Sequence, residues 1–182
     1  MKVFVETERL ILREIEESDL EGMFALDSDP EVHKYLEQNP IQSKDETIAI
    51  IDFIRNQYRD NGIGRWAIED KKSGDFMGWT GLKLENKPTN GHVDYIDIGY
   101  RLRREYWGKG IATESAIASL NYGFSALNYE EIFGAAHVAN TASNIVLMKI
   151  GLEFIEKFDY EGTPCMWYGA KRKQWLEQTK EK

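Results

Sequence analysis

Residues 99–116 read GYRLRREYWGKGIATESA, and this stretch decides how the whole chain is interpreted. The alternation up to Leu102 predicts the end of a β-strand, and the small residues after Gly110 predict a helix. Gly108 and Gly110 flank Lys109 in the turn between the two elements. A helix N-terminus carries unpaired N–H groups and the positive end of the helix dipole, so glycines there let an anion approach closely. The turn is therefore a candidate anion site, although a tight turn without a ligand is the simpler interpretation of two glycines alone.

The turn does not match the common nucleotide-binding motifs. Thr113 stands where the motif G-x-G-x-x-G has its third glycine, and the chain contains no G-x-x-x-x-G-K-[ST] sequence. The glycines also follow a late strand, whereas a dinucleotide-binding fold begins with its glycine turn. Lys109 adds a positive charge and Thr113 adds a hydroxyl donor. The sequence therefore predicts an anionic cofactor of another kind.

The composition is typical of a globular protein. The chain has 182 residues, 42% of them hydrophobic and 30% charged, so we expect one domain spanning residues 1–182. Its net charge of -8 disfavours binding to nucleic acid, which depends on lysine and arginine neutralising phosphates. The N-terminal residues do not resemble a signal peptide, and no stretch reaches the roughly 18 apolar residues of a membrane span. We therefore expect a cytoplasmic protein that does not bind membranes.

The metal-ligating residue types are few and scattered. Cys165 is the single cysteine, so it cannot form an internal disulfide or a thiolate cluster. His33, His92 and His137 lack the spacing of a metal-binding pair. We therefore expect no metal cofactor.

Hydrophobic periodicity predicts a mixed α/β domain, in which antiparallel strands precede alternating strands and helices. Predicted strands cover residues 8–15, 65–69, 76–84, 92–102, 131–137, 153–158 and 165–171. Predicted helices cover residues 20–26, 44–61 and 141–150, and a further helix follows Gly110. The second of these helices begins with a capping box, because Ser43 precedes Glu46 by three residues. Residues 27–30 predict a turn, and the basic residues 171–173 and 180–182 predict a solvated tail.

The strand at residues 92–102 alternates between two faces with a period of two. One face is a predicted core face, carrying Ile96, Ile98, Tyr100 and Leu102. Asp97 lies on the opposite, mixed face. It is next but one to Gly99, whose missing side chain would let a substrate or cofactor approach.

Three stretches of the sequence resemble parts of one protein superfamily. They are LRREYWGKGIATE at residues 102–114, TERLILR at residues 7–13, and NTASNIVLMKIGL at residues 140–152. The first resembles the pyrophosphate loop of the GNAT superfamily of acetyl-CoA-dependent N-acetyltransferases. The other two resemble its Rim-type branch, which acetylates the N-termini of ribosomal proteins. The resemblance implies a GNAT fold, with a mixed, splayed central sheet of about six to seven strands flanked by helices.

The resemblance also implies that acetyl-CoA lies in the splay, with its pyrophosphate on the glycine turn. Glu105 departs from the superfamily pattern, which more often has Gln or Arg there. We expect its side chain to face solvent, with Arg103 or Arg104 supplying a compensating charge. Asn140 is expected to cap a helix and to contact the pantetheine arm. The implied cofactor-binding residues are Leu102, Arg103, Arg104, Trp107, Gly108, Lys109, Gly110, Ile111, Ala112, Thr113 and Asn140.

The reaction requires a neutral amine, donors for an oxyanion and a proton for the departing thiolate. The resemblance implies Asp97 as the base, often acting through water; the alternative is a structural carboxylate or a partner of Arg101. Many family members have a tyrosine acid at the position of Leu147, which cannot donate a proton. The Rim-type branch suggests Ser143 instead, and the alternative is an ordinary serine in the first turn of a helix.

The predicted activity is the direct transfer of an acetyl group from acetyl-CoA to a primary amine. A protein N-terminus is favoured mildly by the resemblance, while a polyamine or aminoglycoside also suits the acidic charge of the chain. A non-catalytic CoA-binding module and a nucleotide-binding interaction domain are the alternatives of other classes. We expect a monomer or a homodimer.

Overall fold

The computed structural model describes residues 2–36 and 38–180. Its elements confirm a mixed α/β class, with antiparallel strands first and alternating strands and helices after them. In chain order they are β1 (Val3–Glu6), β2 (Leu10–Glu14), α1 (Leu20–Asp27), α2 (Pro30–His33), α3 (Lys44–Asn61), β3 (Trp66–Asp70), β4 (Phe76–Glu85), β5 (Tyr95–Leu102), α4 (Ile111–Ser125), β6 (Glu131–His137), α5 (Thr141–Lys149), β7 (Glu153–Tyr160), β8 (Thr163–Lys171) and α6 (Arg172–Lys180).

Eight strands form one sheet in the order β1-β2-β3-β4-β5-β6-β8-β7. β5 and β6 run parallel, and the other neighbouring pairs are antiparallel. The expected six to seven strands are therefore too few, because the sequence analysis misses β1. Val3–Glu6 has only four residues, and no glycine, proline or asparagine separates it from β2. Periodicity over so short a stretch does not identify a strand.

The sheet opens between β5 and β6. Within the described strands, their register consists of one pair, Asp97 with Phe133. On either side the sheet is continuous, because β5 pairs with β4 from Tyr95 to Leu102 and β6 pairs with β8 along its whole length. The two strands therefore separate toward their C-terminal ends, and the expected splay is confirmed.

Helices cover both faces of the sheet. α4 contributes Leu120 and Phe124 to a buried cluster with Leu82 of β4 and Ile98 of β5. α1 and α3 pack on the opposite face, where Leu26 and other residues form a second cluster. In the described ranges, no helix combines the length and the apolar character that crossing a bilayer requires.

α3 begins and ends at the predicted signals. The Ser43 side chain accepts a hydrogen bond from the Glu46 N–H, as expected for a capping box. The helix ends at Gly62, whose φ of 71° is the left-handed conformation that glycine adopts without strain. The predicted apolar face is buried through Ile51 and Ile54.

Two predictions about local structure are wrong. Pro30 does not only close a turn: it is the first residue of α2, which Asp29 caps by accepting a hydrogen bond from Glu31 N–H. Asp and Pro signal a helix start as well as a turn, so the dipeptide alone is ambiguous. The predicted solvated tail is instead the end of β8 followed by α6, in which Trp175 is buried. Residues 181–182 lie outside the described residues.

Candidate active site

The glycine turn joins the C-terminal end of β5 to the N-terminus of α4. A 3-10 turn, Arg104–Tyr106, follows β5, and Gly110 is the residue that precedes the first turn of α4. Gly108 has φ 71° and Gly110 has φ 76°, both in the left-handed region. Glycine is therefore the residue that adopts this backbone path without strain at either position.

The turn presents a row of free backbone donors. Among the described residues, no acceptor satisfies the N–H groups of residues 108–113, whereas the Glu114 N–H bonds to Gly110 O at 3.0 Å. The Trp107 N–H, included among the expected contacts, is already bonded to Arg104 O at 3.1 Å. The Trp107 indole N–H also bonds to Leu102 O at 2.8 Å. The available donors therefore begin at Gly108, and the geometry fits an anion at the N-terminus of α4.

The charges around the turn are arranged as the sequence analysis expects. Glu105 is 52% exposed and pairs with Arg103 at 2.6 Å, so its charge is compensated. Arg104 lies 3.4 Å from the Asp29 carboxylate. Within residues 2–36 and 38–180, the Lys109 ammonium meets no carboxylate, and it lies over the Tyr106 ring. Lys109 is therefore a cation of the turn that an anionic ligand can neutralise.

Asp97 lies at the point where β5 and β6 separate. It pairs with the Arg65 guanidinium, and the two side chains are only 17% and 11% exposed. The same guanidinium bonds to Asp97 O at 2.9 Å and to Gly81 O. The pairing is made through Oδ2; among the described residues no donor reaches Oδ1. Asp97 is thus a held carboxylate with one oxygen left as an acceptor.

Two details of this region differ from the sequence analysis. Arg101, the alternative partner of Asp97, instead pairs with Asp27 at 2.5 Å. A Cβ at Gly99 would lie 2.7 Å from the Arg65 guanidinium, so the space above Gly99 holds that side chain. The missing side chain of Gly99 therefore makes room for Arg65, and not for a substrate as expected.

Trp79 joins the two ion pairs into one cluster on the face that α1 covers. Its ring lies 5.3 Å from the Arg65 guanidinium carbon and 5.1 Å from that of Arg101, distances typical of cation–π contacts. We call Arg65, Trp79, Asp97, Arg101 and Asp27 the arginine–tryptophan cluster. Its charges are largely satisfied within the cluster itself.

His33 of α2 adjoins this cluster. Its Nε2 is buried without a hydrogen-bond partner among the described residues and lies 3.9 Å from Asp27 Oδ1. Burial lowers the pKa of His33, and the nearby Arg101 lowers it further. The imidazole is therefore neutral at pH 7.

The start of α5 faces β5 across the opening. Asn140 caps this helix as expected, because its side chain accepts a hydrogen bond from the Ser143 N–H at 3.1 Å. Leu147, at the family tyrosine position, is only 2% exposed and belongs to the core. The Ser143 hydroxyl lies 3.1 Å from the Tyr100 hydroxyl, which also donates to Ser143 O at 2.9 Å.

Sequence reasoning missed Tyr100 as a candidate site residue and assigned it to the core face only. Its ring does pack against the core, but its hydroxyl reaches α5. Burial raises the pKa of Tyr100, so the hydroxyl stays protonated at neutral pH. A buried tyrosine needs a partner for its hydroxyl, and this general requirement was the available signal.

Three of the predicted site positions lie at different points around the separation of β5 and β6. The glycine turn lies at one end of β5, Asp97 lies about 17 Å back along the strand at 3.3–3.4 Å per residue, and Ser143 lies across from Tyr100. Within the described ranges, no three His, Cys, Asp or Glu side chains are grouped to hold a metal ion. The absence of a metal cofactor stays a prediction.

The sequence and the fold both match known acetyltransferases. The model of the family described as "Acetyltransferase (GNAT) domain" matches residues 9–153. An uncharacterized N-acetyltransferase of Bacillus subtilis, YoaA, is 33% identical over 165 residues, which cover 88% of this chain and 90% of the relative. The chain therefore belongs to the GNAT acetyltransferases, and the resemblance seen in the sequence is confirmed. It is an N-acetyltransferase, of a family that uses acetyl-CoA.

Two solved structures show the same fold at low sequence identity. RimL, a ribosomal L7/L12 α-N-protein acetyltransferase in complex with coenzyme A, has a TM-score of 0.78 and 18% identity, covering 93% of this chain and 98% of that one. The spermidine N-acetyltransferase of Vibrio cholerae, in complex with CoA and spermine, has a TM-score of 0.74 and 20% identity, covering 93% and 99%. At these identities the likeness establishes the fold.

Proposed function

We propose that this protein transfers the acetyl group of acetyl-CoA directly to a primary amine, and that the amine is a protein N-terminus. The observation that carries the proposal is the row of unpaired N–H groups at residues 108–113, placed beside the opening between β5 and β6. A diphosphate is the part of CoA that such a helix N-terminus binds best.

The glycine turn would hold the diphosphate through main-chain donors. Lys109 would neutralise part of its charge, and the Thr113 hydroxyl, which has no partner among the described residues, would donate to it. Asn140 would hold the pantetheine arm through its amide, while its Oδ1 caps α5. Bound acetyl-CoA supplies the activated carbonyl that the amine attacks.

Asp97 would accept the proton that the amine loses. The Arg65 ion pair fixes its carboxylate, and Oδ1 remains the acceptor, either directly or through water. An α-amine has a pKa near ~7.7 and a lysine-like amine near ~10.4, so the α-amine makes the smaller demand on a carboxylate base. This difference favours an N-terminus over a side-chain amine.

Ser143 would complete the reaction by protonating the departing sulfur. The new N–C bond forms as the C–S bond breaks, so one proton leaves the nitrogen toward Asp97 and one reaches the sulfur from the Ser143 hydroxyl. The Tyr100 hydroxyl donates to Ser143 O, stays protonated and would hold Ser143 in place, and solvent would return the proton to the Ser143 hydroxyl after CoA leaves. Together they replace the tyrosine that Leu147 cannot provide.

A polyamine is the second candidate acceptor. The net charge of -8 favours a polycation by long-range attraction. A thiol-release assay separates the two classes: acetyl-CoA is offered with a peptide having a free N-terminus, the same peptide N-terminally blocked but containing lysine, spermidine, and an aminoglycoside. We expect release with the free N-terminus and not with its blocked counterpart.

The thiol-release assay, calorimetry and a thermal-shift measurement together distinguish the alternative functions. Release with spermidine alone would make the protein a polyamine acetyltransferase. CoA binding in calorimetry without release from any amine would make it a binding module. Stronger stabilisation by ATP or NAD than by CoA in a thermal-shift measurement would overturn the cofactor assignment.

A further inference from the structure

The N-terminal stretch TERLILR, residues 7–13, has two arginines with different surroundings. Arg13 is buried and pairs with Asp19 at 2.8 Å and with Glu69 at 2.7 Å, so it holds the fold together. Arg9 is exposed at nearly half of its side chain, and its ion pair is with Glu114 of α4. Arg9 therefore connects the N-terminal hairpin to the helix that follows the glycine turn.

Both residues converge on Glu114, in the first turn of α4. One carboxylate oxygen of Glu114 accepts from the Thr7 hydroxyl at 2.5 Å and from the Arg9 N–H at 3.3 Å. The other accepts from Arg9 Nε at 2.6 Å and lies 2.5 Å from Arg9 Nη2. We call Thr7, Arg9 and Glu114 the N-terminal clip.

The clip also reaches the other side of the glycine turn. Arg9 Nη1 donates to Lys109 O at 3.0 Å, and Arg9 Nη2 lies 3.6 Å from the place where a Cβ of Gly110 would be. Arg9 therefore bonds to the chain on both sides of Gly110: to Lys109, which precedes it, and to Glu114, one helical turn after it. Two glycines are otherwise free to adopt other conformations, and ordering them costs free energy on binding.

The clip has an electrostatic role as well. Glu114 is a negative charge in the helix turn where the diphosphate would bind. Burial would raise the pKa of Glu114, but the hydrogen bonds from Thr7 and Arg9 outweigh it and lower the pKa. Glu114 therefore remains ionised, and Arg9 neutralises it next to the site.

We propose that the N-terminal clip is a positioning unit that presets the glycine turn for the diphosphate of CoA. Arg9 acts through Lys109 and Glu114 and leaves the phosphates to the backbone donors. The inference rests on the proposed function for the identity of the ligand. It assigns a role at the cofactor site to a hairpin that is 105 residues away in the sequence.

Calorimetric titration with CoA tests the clip in the full chain. Arg9→Ala, Thr7→Val and Glu114→Gln are each expected to weaken CoA binding, by about tenfold for Arg9→Ala, and the double variant R9A/E114Q is expected to be no weaker than R9A. The turnover at saturating acetyl-CoA should stay within about twofold of wild type, because a positioning unit acts on binding. Lys71→Ala is the matched control: Lys71, which follows β3, donates from Nζ to Thr7 O of the N-terminal hairpin at 2.6 Å, and among the described residues it has no bond to the turn.

A second measurement does not depend on CoA. Backbone ¹⁵N relaxation of the ligand-free protein should show ordered Gly108 and Gly110 amides in wild type and K71A, with order parameters falling below about 0.6 in R9A. If wild type ignores CoA, the proposed function fails, yet the glycine amides still test the clip. Unchanged order parameters in R9A, unchanged CoA affinity, or tighter binding by E114Q would overturn the inference, the last because it would mean that freed Arg9 binds the phosphates itself.

Discussion

The C-terminal end of β5 and the face of β5 that carries Asp97 and Arg101 differ in how their polar groups are satisfied. At the C-terminal end, the glycine turn offers main-chain N–H groups that have no partner among the described residues. Around Asp97 and Arg101, the arginine–tryptophan cluster offers side chains that are already paired with one another. The hydrogen-bond donors of the glycine turn are therefore available to a ligand, while the charges of the arginine–tryptophan cluster are already paired within the protein.

The difference explains why the cofactor is easier to infer than the acceptor. Free donors at a helix N-terminus specify an anion whatever the side chains are. A self-paired cluster of charges can serve as structure, as a proton acceptor or as both, so it specifies no single partner. Four experiments test this contrast.

The largest effect is expected for Gly110→Asp. A side chain at φ 76° is strained, and its carboxylate would occupy the free donors and repel a diphosphate, so CoA affinity should fall by more than about 100-fold. Gly74→Asp is the matched control, because Gly74 also has φ 76° and open space around it, in the hairpin between β3 and β4. Equal CoA affinity in both variants would remove the turn from the site.

Asp97→Asn should reduce turnover by about 100-fold near neutral pH, because a general base is lost. Raising the pH to about 9 should recover part of the rate, since more of an α-amine acceptor with a pKa near ~7.7 is then already neutral. Asp27→Asn breaks the other ion pair of the same cluster and provides the comparison. A loss in D97N that is the same at every pH would show a purely structural carboxylate.

Tyr100→Phe should lower turnover by about tenfold without changing CoA affinity, because the hydroxyl behind Ser143 is removed. Tyr168→Phe is the control: its hydroxyl also bonds to a residue of α5, Asn144, at 2.9 Å, but in the core. Pre-steady-state acetyl transfer would measure both variants. Identical rates for Y100F and wild type would leave Ser143 without this partner.

The smallest effect is a pH dependence of CoA binding through Glu114. The pKa of Glu114 in the folded protein is lowered. The contribution of the ionised Glu114 to CoA binding is therefore complete above its ordinary pKa of 4.5, and it is lost as the pH falls through the lowered pKa. CoA affinity of wild type should therefore fall by a few-fold more than that of Glu114→Gln in this acidic range. If the CoA affinities of the two proteins change in the same way with pH, the protonation of Glu114 does not affect CoA binding.

Much of the fold could be predicted because its signals are local. The predicted limits of β6 coincide with Glu131–His137, and the caps of α3 lie where Ser43 and Gly62 place them. The glycine turn is local too, since strand end, glycines and helix start are consecutive. The departures concern short or ambiguous stretches such as β1 and α2, where four residues carry too little periodicity.

The part of the candidate site that the sequence does not predict consists of contacts between residues that are distant in the sequence. Arg65 meets Asp97 across 32 positions, Tyr100 meets Ser143 across 43, and Thr7 meets Glu114 across 107. Alternation places Asp97 on the correct face of its strand but does not say which neighbour will hold it. Such pairings depend on strand order, which a single sequence does not specify.

β8 lies between β6 and β7 in the sheet, so β7 cannot take its place in the sheet until β8 has been synthesised. β7 precedes β8, so β7 is synthesised before its neighbour in the sheet, by roughly a second at the usual pace of synthesis. Most of β7 is exposed even in the finished protein. Until β8 pairs with both strands, β6 has one unpaired edge and β7 has two, and unpaired strand edges invite aggregation.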